Sequence, residues 1–256
     1  MKYSHVIFDL DGTLLPNNLS LNQSELRFLG DRLRDLEVLV VFATGRSLVK
    51  VLELEGVVDA LSPVAIVTNC GAEIFLKQDG CFVCDESYLQ YVDTHSFSFD
   101  KERIEKYLDK EIFLTQQESK YQFNYKISYY IDLNKCISVR SFVDNFKQRF
   151  NNHELLISLA EIESGLHYLD VQPFHASKYG ALAYMLESIG IEEKDVWYFG
   201  DNGNDLPCIL GFEQSTMITT YKDCLVEIYP ELLNSKICWI ENSGPISLLE
   251  SLDAFE

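Results

Sequence analysis

Three short, fully apolar segments of the chain each run straight into a polar, turn-forming sequence. They are Val6–Phe8 before DLDGT, Val38–Ala43 before TGRS, and Val196–Phe199 before GDNGND. Segments that are apolar at every position are typical of strands buried on both faces of a parallel sheet. Helical periodicity separates them, and repeated β-α-β units of this kind predict an α/β fold with a doubly wound parallel sheet.

The same reading places further elements around these strands. Leucines spaced three to four residues apart predict a helix over Leu19–Leu36, and Asp79-Gly80 predicts a hairpin turn. The other expected elements are helices at Ser47–Leu54 and Tyr179–Ile189, and strands at Ala65–Val67, Ile74–Leu76, Cys81–Val83, Thr216–Ile218 and Ile237–Ile240.

The middle of the chain has a different pattern. Helices are expected at Lys101–Lys110 and Ile137–Phe150, and a tyrosine-rich strand at Tyr121–Ile131 alternates as a sheet with one exposed face does. We interpret this stretch as a separate α+β domain, inserted at residues 85–169 into an α/β core made of residues 1–84 and 170–256.

Charge restricts the partners of such a protein. The chain has 256 residues and a formal net charge of −19. An acidic surface repels nucleic acid and anionic membranes, so neither is an expected partner. It also repels a phosphorylated metabolite, which means that a phosphate site would require local cations.

Location and cysteine usage follow from the same composition. We find no apolar run of roughly 18–20 residues and no signal peptide, so a cytoplasmic protein is expected. The sequence leaves its oligomeric state open between a monomer and a homodimer. Seven scattered cysteines are more typical of reduced thiols than of a disulfide framework. Cys81 and Cys84 form a C-x-x-C pair, but a zinc ribbon would need a second such pair.

The polar sequences after the strands predict the site. Ligands of parallel α/β sheets bind beyond the carboxyl ends of the strands. Several carboxylates in one crevice require a cation, and an all-oxygen donor set suits Mg²⁺, which commonly binds phosphorylated substrates. Lys178, at the start of a helix, can supply a second positive charge to a phosphate. If the three strands are neighbours in the sheet, the residues expected to converge are Asp9, Asp11, Thr44, Arg46, Asp201 and Asp205.

Four motifs carry a family resemblance. FDLDGT, FATGRS, the lysine of SKYGAL and GDNGND resemble, in order, the four motifs of the haloacid dehalogenase (HAD) superfamily of phosphatases. The insert lies between the second and third motifs, as in the branch with a large α/β cap, which holds Cof-type sugar phosphatases and sucrose-phosphate phosphatases. The sequences LDVQP and NDLPCI, beside the last two motifs, strengthen the match. The resemblance implies a Rossmann-like core, an inserted cap domain and hydrolysis of a small phosphomonoester such as a sugar phosphate.

The resemblance also implies a role for each residue. Asp9 would be the nucleophile that forms an aspartyl-phosphate, and Asp11 the general acid and then the base. Arg46 would contact the substrate. Asp205 would be either a metal ligand or a partner of one. The residues expected to hold phosphate are Thr44, Gly45, Lys178 and Asn204, and those expected to hold Mg²⁺ are Asp9, Asp11 (through its backbone carbonyl), Asp201 and Asp205.

Two loops depart from the family pattern, and two alternative functions stay open. Asn69-Cys70-Gly71-Ala72 stands where S-N-G-A is common, and Met217–Thr220 stands where M-G-N-A is common. A phosphomutase of related architecture is one alternative, although ATGRS resembles the phosphatase branch more closely. A non-catalytic protein that binds a phosphorylated metabolite is the other. The sequence does not identify the physiological substrate.

Overall fold

The computed structural model describes residues 3–16, 20–136, 138–150, 155–161, 167–219, 222, 225–226, 230–234 and 237–253. The strands are β1 (His5–Phe8), β2 (Leu39–Ala43), β3 (Ala65–Thr68), β4 (Glu73–Gln78), β5 (Cys81–Cys84), β6 (Leu114–Gln116), β7 (Ile127–Ile131), β8 (Leu155–Glu161), β9 (His167–Pro173), β10 (Val196–Gly200), β11 (Ser215–Ile218) and β12 (Ile237–Ile240). The helices are α1 (Gln23–Asp35), α2 (Leu48–Leu52), α3 (Glu55–Leu61), α4 (Glu86–His95), α5 (Lys101–Leu108), α6 (Val139–Phe150), α7 (Lys178–Ile189), α8 (Leu206–Gly211) and α9 (Pro245–Asp253).

The strands form two sheets. The larger has eight strands in the order β12-β11-β10-β1-β2-β3-β4-β5, and its strands from β12 to β3 are parallel. Its last two strands form the antiparallel hairpin predicted at Asp79-Gly80, where both residues have positive φ, as a tight primed turn requires. The α/β fold class is therefore confirmed.

Each face of the large sheet buries its own hydrophobic cluster. Ile7 and Tyr198 project to one face and pack in a cluster with Leu182 of α7. Phe8 and Phe199 project to the other face and pack in a cluster with Leu29 of α1. This division follows from the alternation of side chains along a strand. Each fully buried leucine contributes about 1.5–3 kcal/mol relative to exposure, so the two clusters fix the sheet between its helical layers.

The smaller sheet has the antiparallel order β6-β7-β9-β8. Ile127, Tyr129 and Ile131 of β7 are buried with residues of α5 and α6 in a third hydrophobic cluster. The intervening residue Ser128 pairs with Asp170 of β9 on the opposite, polar face. Helices α5 and α6 thus cover the apolar face of this sheet.

Helix α4 was not predicted from the sequence. Asp85 caps it by accepting hydrogen bonds from the backbone N–H groups of the next turn. Tyr88 and Val92 of this helix lie in the same cluster as Ile7, so α4 packs on the large sheet. The sequence signal for this helix was Asp85 as a helix cap, followed by Tyr88 and Val92 four residues apart.

The division of the chain into a core and an inserted domain stays a prediction, but packing favours different boundaries. Because α4 packs on the large sheet, the first boundary is better placed after His95 than after residue 84. Strand β9 belongs to the small sheet and continues to Pro173, so the second boundary is better placed there than after residue 169.

Several predicted elements are shorter in the structure. The strand predicted at Tyr121–Ile131 begins only at Ile127, because a 3-10 turn at Ser119–Tyr121 and a bridge between Phe123 and Lys126 precede it. The helix predicted from Leu19 begins at Gln23, where Asn22 caps it, and Leu19 lies outside the described residues.

Smaller differences affect two of the other predicted helices. The helix predicted at Ser47–Leu54 divides into α2 and α3, which are separated at Leu54. The helix predicted from Ile137 begins at Val139, and Ile137 lies outside the described residues. No helix within the described residues is long and apolar enough to cross a membrane.

Candidate active site

The site lies at the carboxyl ends of three adjacent strands. Strand β1 is flanked by β10 and β2, so the residues that follow these strands meet at one edge of the sheet. Asp9 follows β1, Thr44 follows β2 and Asp201 follows β10. This is the edge at which open parallel sheets bind their ligands.

A buried cluster of three carboxylates occupies this edge. Asp9, Asp201 and Asp205 each offer one oxygen, and these oxygens lie within 4.8 Å of one another. The Lys178 ammonium enters the cluster from the start of α7, with Nζ 2.5 Å from Asp9 Oδ1 and 2.7 Å from Asp205 Oδ1. Lys178 is only 1% exposed, so this ion pair is shielded from solvent.

Charge in the cluster is not balanced by Lys178 alone. Burial raises the pKa of Asp9 to about 7, although the nearby Lys178 ammonium opposes the shift. Burial also raises the pKa of Asp201 well above its usual range, and the charges of Asp9 and Asp205 add to the effect. A carboxylate cluster that resists full ionisation, with oxygen donors only, fits a small divalent cation such as Mg²⁺.

Asp205 has its acceptor positions filled by the protein. Its Oδ1 accepts hydrogen bonds from Lys178 and from the Tyr198 hydroxyl at 2.5 Å, and its Oδ2 accepts from the backbone N–H groups of Asp201 and Asn202 at 3.2 and 3.1 Å. A carboxylate offers about four acceptor positions. The arrangement therefore favours Asp205 as the residue that orients Lys178 and Asp201 rather than as a direct metal ligand.

Local sequence explains how this loop turns so sharply. Asn202 and Asp205 form a capping box around the 3-10 turn Gly203–Asp205, and α8 follows directly. A Cβ atom on Gly200 would lie 2.6 Å from Asp205 Cβ, which no side chain could accommodate without displacing that carboxylate. Gly200 thus lets Asp205 fold back against the end of β10.

Asp11 lies outside the carboxylate cluster and contacts Arg46. The Asp11 carboxylate accepts two hydrogen bonds from the Arg46 guanidinium, from Nε to Oδ2 at 2.8 Å and from Nη2 to Oδ1 at 2.5 Å. Both side chains are partly exposed, 52% for Asp11 and 32% for Arg46. The metal contact predicted for Asp11 involves its backbone carbonyl and not its carboxylate, and it stays a prediction. Arg46 contacts the Asp11 carboxylate in the structure, and its predicted contact with substrate stays a prediction.

Thr44 and Gly45 precede Arg46 in the loop after β2, beside the Asp11–Arg46 ion pair. Thr44 is fully buried, and its hydroxyl accepts a hydrogen bond from the backbone N–H of Arg46 at 3.1 Å, so it stabilises the loop that carries the arginine. A Cβ on Gly45 would lie 3.4 Å from Cys70 Sγ, an ordinary van der Waals distance, and the Cys70 N–H donates to the Thr44 carbonyl oxygen at 3.0 Å. The loop after β2 is consequently held close to the loop after β3.

Asn204 carries a buried acceptor that is not satisfied within the described residues. Its Nδ2 lies 3.6 Å from Cys70 Sγ, whereas its Oδ1 is buried without a hydrogen-bond partner. Buried polar atoms normally have partners, so an unsatisfied one beside a carboxylate cluster is where a ligand or a metal-bound water is expected. This observation fits the donor chemistry of the cluster.

Cys70 connects the two sheets. It follows Asn69 in a strained turn in which Asn69, Cys70 and Gly71 all have positive φ (51°, 59° and 104°). Its Sγ lies 3.7 Å from Lys126 Nζ, and its carbonyl oxygen accepts a hydrogen bond from Gln172 at 3.1 Å. The residue that departs from the family pattern thus receives the contacts from the small sheet.

Sequence reasoning missed three residues of the site. Lys126 is buried and pairs with Asp170 at 3.1 Å, Gln172 contacts Cys70, and Tyr198 holds Asp205. Lys126 and Tyr198 were each counted as part of a strand, and a charged residue at the start of an otherwise apolar strand was the available signal for Lys126. In the second loop that departs from the family pattern, Met217 and Ile218 are buried in β11, while Thr220 lies outside the described residues.

Cys81 and Cys84 do not form a chelating pair. They lie three residues apart in β5, so their side chains project from opposite faces of that strand.

With this geometry established, sequence comparison assigns the family. A profile of the sucrose-6F-phosphate phosphohydrolase family matches residues 3–256. The chain belongs to this family. The resemblance to HAD phosphatases with a large cap is thereby confirmed, and we refer to the small sheet with α5 and α6 as the cap.

Curated relatives are phosphatases of several kinds. Sucrose-phosphatase 2 of Nicotiana tabacum is 29% identical over 206 residues, which cover 78% of this chain and 46% of that protein. HMP-PP phosphatase of Escherichia fergusonii is 30% identical over 221 residues, which cover 77% of each chain. The chain spans about half the length of the tobacco enzyme.

Solved structures share the fold over the whole chain. The structure of sucrose-phosphatase from Synechocystis sp. PCC6803, in complex with sucrose and phosphate, superimposes with a TM-score of 0.76 at 22% identity and covers 100% of this chain and 98% of that one. A putative HAD/COF-like hydrolase from Plasmodium vivax has a TM-score of 0.63 at 20% identity and covers 100% and 97%.

Proposed function

We propose that the protein is a Mg²⁺-dependent phosphatase that hydrolyses a sugar phosphate through an aspartyl-phosphate. The observation that carries the proposal is Lys178, buried between Asp9 and Asp205 at the ligand-binding edge of the sheet. A buried ammonium beside a carboxylate cluster provides positive charge for phosphoryl oxygens on an otherwise acidic protein. Membership of a phosphohydrolase family supports the same reaction class.

Asp9 and Asp201 would hold Mg²⁺, together with the backbone carbonyl of Asp11, and Asp205 would orient Asp201. When bound, the ion supplies positive charge that stabilises the oxygens of the transferring phosphoryl group. Asn204 Oδ1, unsatisfied within the described residues, is suited to a water of that ion. Thr44, Gly45, Lys178 and Asn204 would surround the phosphoryl group.

The first proposed step forms the aspartyl-phosphate. A carboxylate oxygen of Asp9 attacks phosphorus, and the bond between phosphorus and the sugar oxygen breaks. Asp11 donates its proton to that oxygen, so the sugar leaves as a neutral alcohol. Lys178 remains beside Asp9 and offsets the negative charge of the phosphoryl oxygens.

The second step releases phosphate. Water attacks phosphorus, its proton passes to the Asp11 carboxylate, and the bond between phosphorus and the Asp9 oxygen breaks. Asp9 returns to a carboxylate and Asp11 is again protonated. One water is consumed, and one alcohol and one phosphate are formed.

The polar face of the cap supports a sugar as the leaving group. Lys126, Asp170 and Ser128 form a hydrogen-bonded group on this face, and both Lys126 and Gln172 contact Cys70 beside the site. Side chains that alternate as donors and acceptors suit the hydroxyl groups of a sugar. The relatives named sucrose-phosphatase make a sucrose phosphate one member of the panel to test.

The test is phosphate release from a panel of phosphomonoesters with and without Mg²⁺. The panel contains p-nitrophenyl phosphate, hexose phosphates, a sucrose phosphate and a non-sugar alkyl phosphate. Release that needs Mg²⁺ and is fastest on a sugar phosphate is the expected result. Tight binding without release would instead favour a metabolite-binding protein, and isomerisation that depends on a sugar bisphosphate would favour a phosphomutase.

Asp201→Ala tests the metal ligands. We expect the substitution to raise the Mg²⁺ concentration for half-maximal activity about 10–100-fold and to lower turnover, because one of the carboxylates that hold the ion is lost. The measurement is a Mg²⁺ titration of phosphate release and, independently, calorimetric titration of Mg²⁺ into the protein. An unchanged titration curve would exclude Asp201 as a ligand. Asp195→Ala, at a turn remote from the cluster, is the matched control.

A further inference from the structure

We propose that Arg46 is a positioning residue for Asp11, holding its carboxylate in the orientation that proton transfer to the leaving group requires. The inference rests on the proposed phosphatase function and goes beyond it, since Arg46 was expected to contact substrate. The geometry points to this role because both hydrogen bonds of the guanidinium fork are directed to the two oxygens of one carboxylate, at 2.8 and 2.5 Å.

Two-point contact restricts the Asp11 carboxylate more than one hydrogen bond would. A single bond leaves a carboxylate free to rotate about that contact, whereas a planar fork fixes both oxygens. Asp11 is 52% exposed, so packing alone does not hold its side chain. Its backbone is held by a bridge between Asp11 and Leu15, in which the Gly12 N–H donates to the Leu15 carbonyl oxygen at 2.9 Å. The fork supplies the remaining restraint.

The backbone of Arg46 is itself held by two hydrogen bonds, so its side chain starts from a fixed position. Its backbone N–H donates to Thr44 Oγ1 at 3.1 Å, and its carbonyl oxygen accepts from the backbone N–H of Asn69 at 3.0 Å. The arginine therefore extends from a loop tied to the next loop of the sheet edge. Lys178 already places a cation beside Asp9 for the phosphoryl group. Arg46 is therefore not required as the cation at that position.

The contact is compatible with a protonated Asp11. Each carboxylate oxygen has two acceptor positions, and the fork occupies one position on each oxygen. A proton on the remaining position of one oxygen can point toward the sugar oxygen while the fork is kept. When that proton leaves, the carboxylate becomes negative and the fork stabilises it, which favours transfer to the leaving group.

The dependence of the rate on the leaving group distinguishes a role in positioning Asp11 from a direct contact with the phosphoryl group. A sugar alkoxide is a poor leaving group and must be protonated as the bond to phosphorus breaks, whereas p-nitrophenolate is stable without a proton. Loss of a general acid therefore slows alkyl phosphates strongly and p-nitrophenyl phosphate weakly. Loss of a phosphate contact slows both, because the phosphoryl group is the same.

The experiment compares Arg46→Met with the unaltered protein on p-nitrophenyl phosphate and on the best sugar phosphate of the panel. We expect kcat for the sugar phosphate to fall about 10–100-fold and kcat for p-nitrophenyl phosphate to stay within about threefold. Arg46→Lys, which keeps the charge but not the fork, should recover only part of the loss. Lys194→Met, which removes an exposed ion pair with Glu192, is the matched control and should change the rate on neither substrate.

A second variant decides whether Arg46 acts through Asp11. In an Asp11→Asn protein, adding Arg46→Met should lower kcat no further, because the group that it positions is already inactive. Full multiplication of the two losses, an equal loss on both substrates, or a rise in KM alone would overturn the inference. Absence of turnover by the unaltered protein would reject the proposed function itself, whereas turnover with any of those three patterns rejects only the role of Arg46.

Discussion

Asp9→Asn is expected to lower phosphate release by about 10⁴-fold or more, because an amide oxygen cannot form the aspartyl-phosphate. The fold should persist, since the amide oxygen of asparagine can still accept the hydrogen bond from Lys178 Nζ. Removing one negative charge from the cluster also relieves repulsion with Asp201, which shares this buried site. The variant should therefore be inactive and well folded.

The measurement is single-turnover phosphate release together with thermal unfolding. Asp253→Asn, at an exposed ion pair with Arg32, is the matched control and should keep full activity. Activity of the Asp9 variant within tenfold of the unaltered protein would remove Asp9 from the role of nucleophile. Loss of both folding and activity would instead give the residue a structural role as well.

The residues that the sequence identified most securely are those that follow buried strands. Asp9, Thr44 and Asp201 each come directly after a strand whose apolar run is unambiguous, and parallel neighbours must bring such residues to one edge. Strand order could not be derived from the pattern alone, and the prediction was conditional on β10, β1 and β2 being neighbours, which the structure shows. That part of the site was predictable.

The partners of these residues were less predictable, because hydrogen bonds depend on side-chain directions that no spacing specifies. The Arg46 fork could have been directed to substrate or to Asp11, and the sequence is the same in both cases. Tyr198 was counted as core because it lies in an apolar strand, yet its hydroxyl ends at Asp205. Lys126, at the start of a strand of the small sheet, contacts Cys70, which follows a strand of the large sheet. This contact requires the cap to pack against the large sheet.

Lys178→Met is expected to destabilise the protein by about 3–5 kcal/mol at neutral pH without Mg²⁺, because it removes the cation from a buried cluster of carboxylates. Lys178 Nζ contacts both Asp9 and Asp205, and methionine fills most of the volume without the charge. Burial raises the pKa of Asp9 to about 7 even with Lys178 present, so losing the ammonium raises it further.

The sign of the pH dependence follows from that shift. A carboxyl group whose pKa is higher in the folded state stabilises the fold fully at pH values below its unfolded pKa, and loses that contribution as pH rises through the folded pKa. The deficit of the Lys178 variant should therefore be small near pH 4 and large near pH 8. Mg²⁺ should recover part of it, since an ion bound to the folded state alone stabilises by about 2.7 kcal/mol at a hundredfold excess over Kd.

Urea unfolding at pH 4, 7 and 8, with and without Mg²⁺, measures this prediction. Lys194→Met is the matched control, because it removes an exposed ion pair with Glu192 and should change stability by no more than about 0.5 kcal/mol. A Lys178 variant as stable as that control, at every pH and without Mg²⁺, would mean that the carboxylates are not held as ions by this lysine. A deficit that grows with pH and shrinks with Mg²⁺ would instead show that lysine and metal neutralise the same cluster, which is what a phosphoryl-transfer site on so acidic a protein requires.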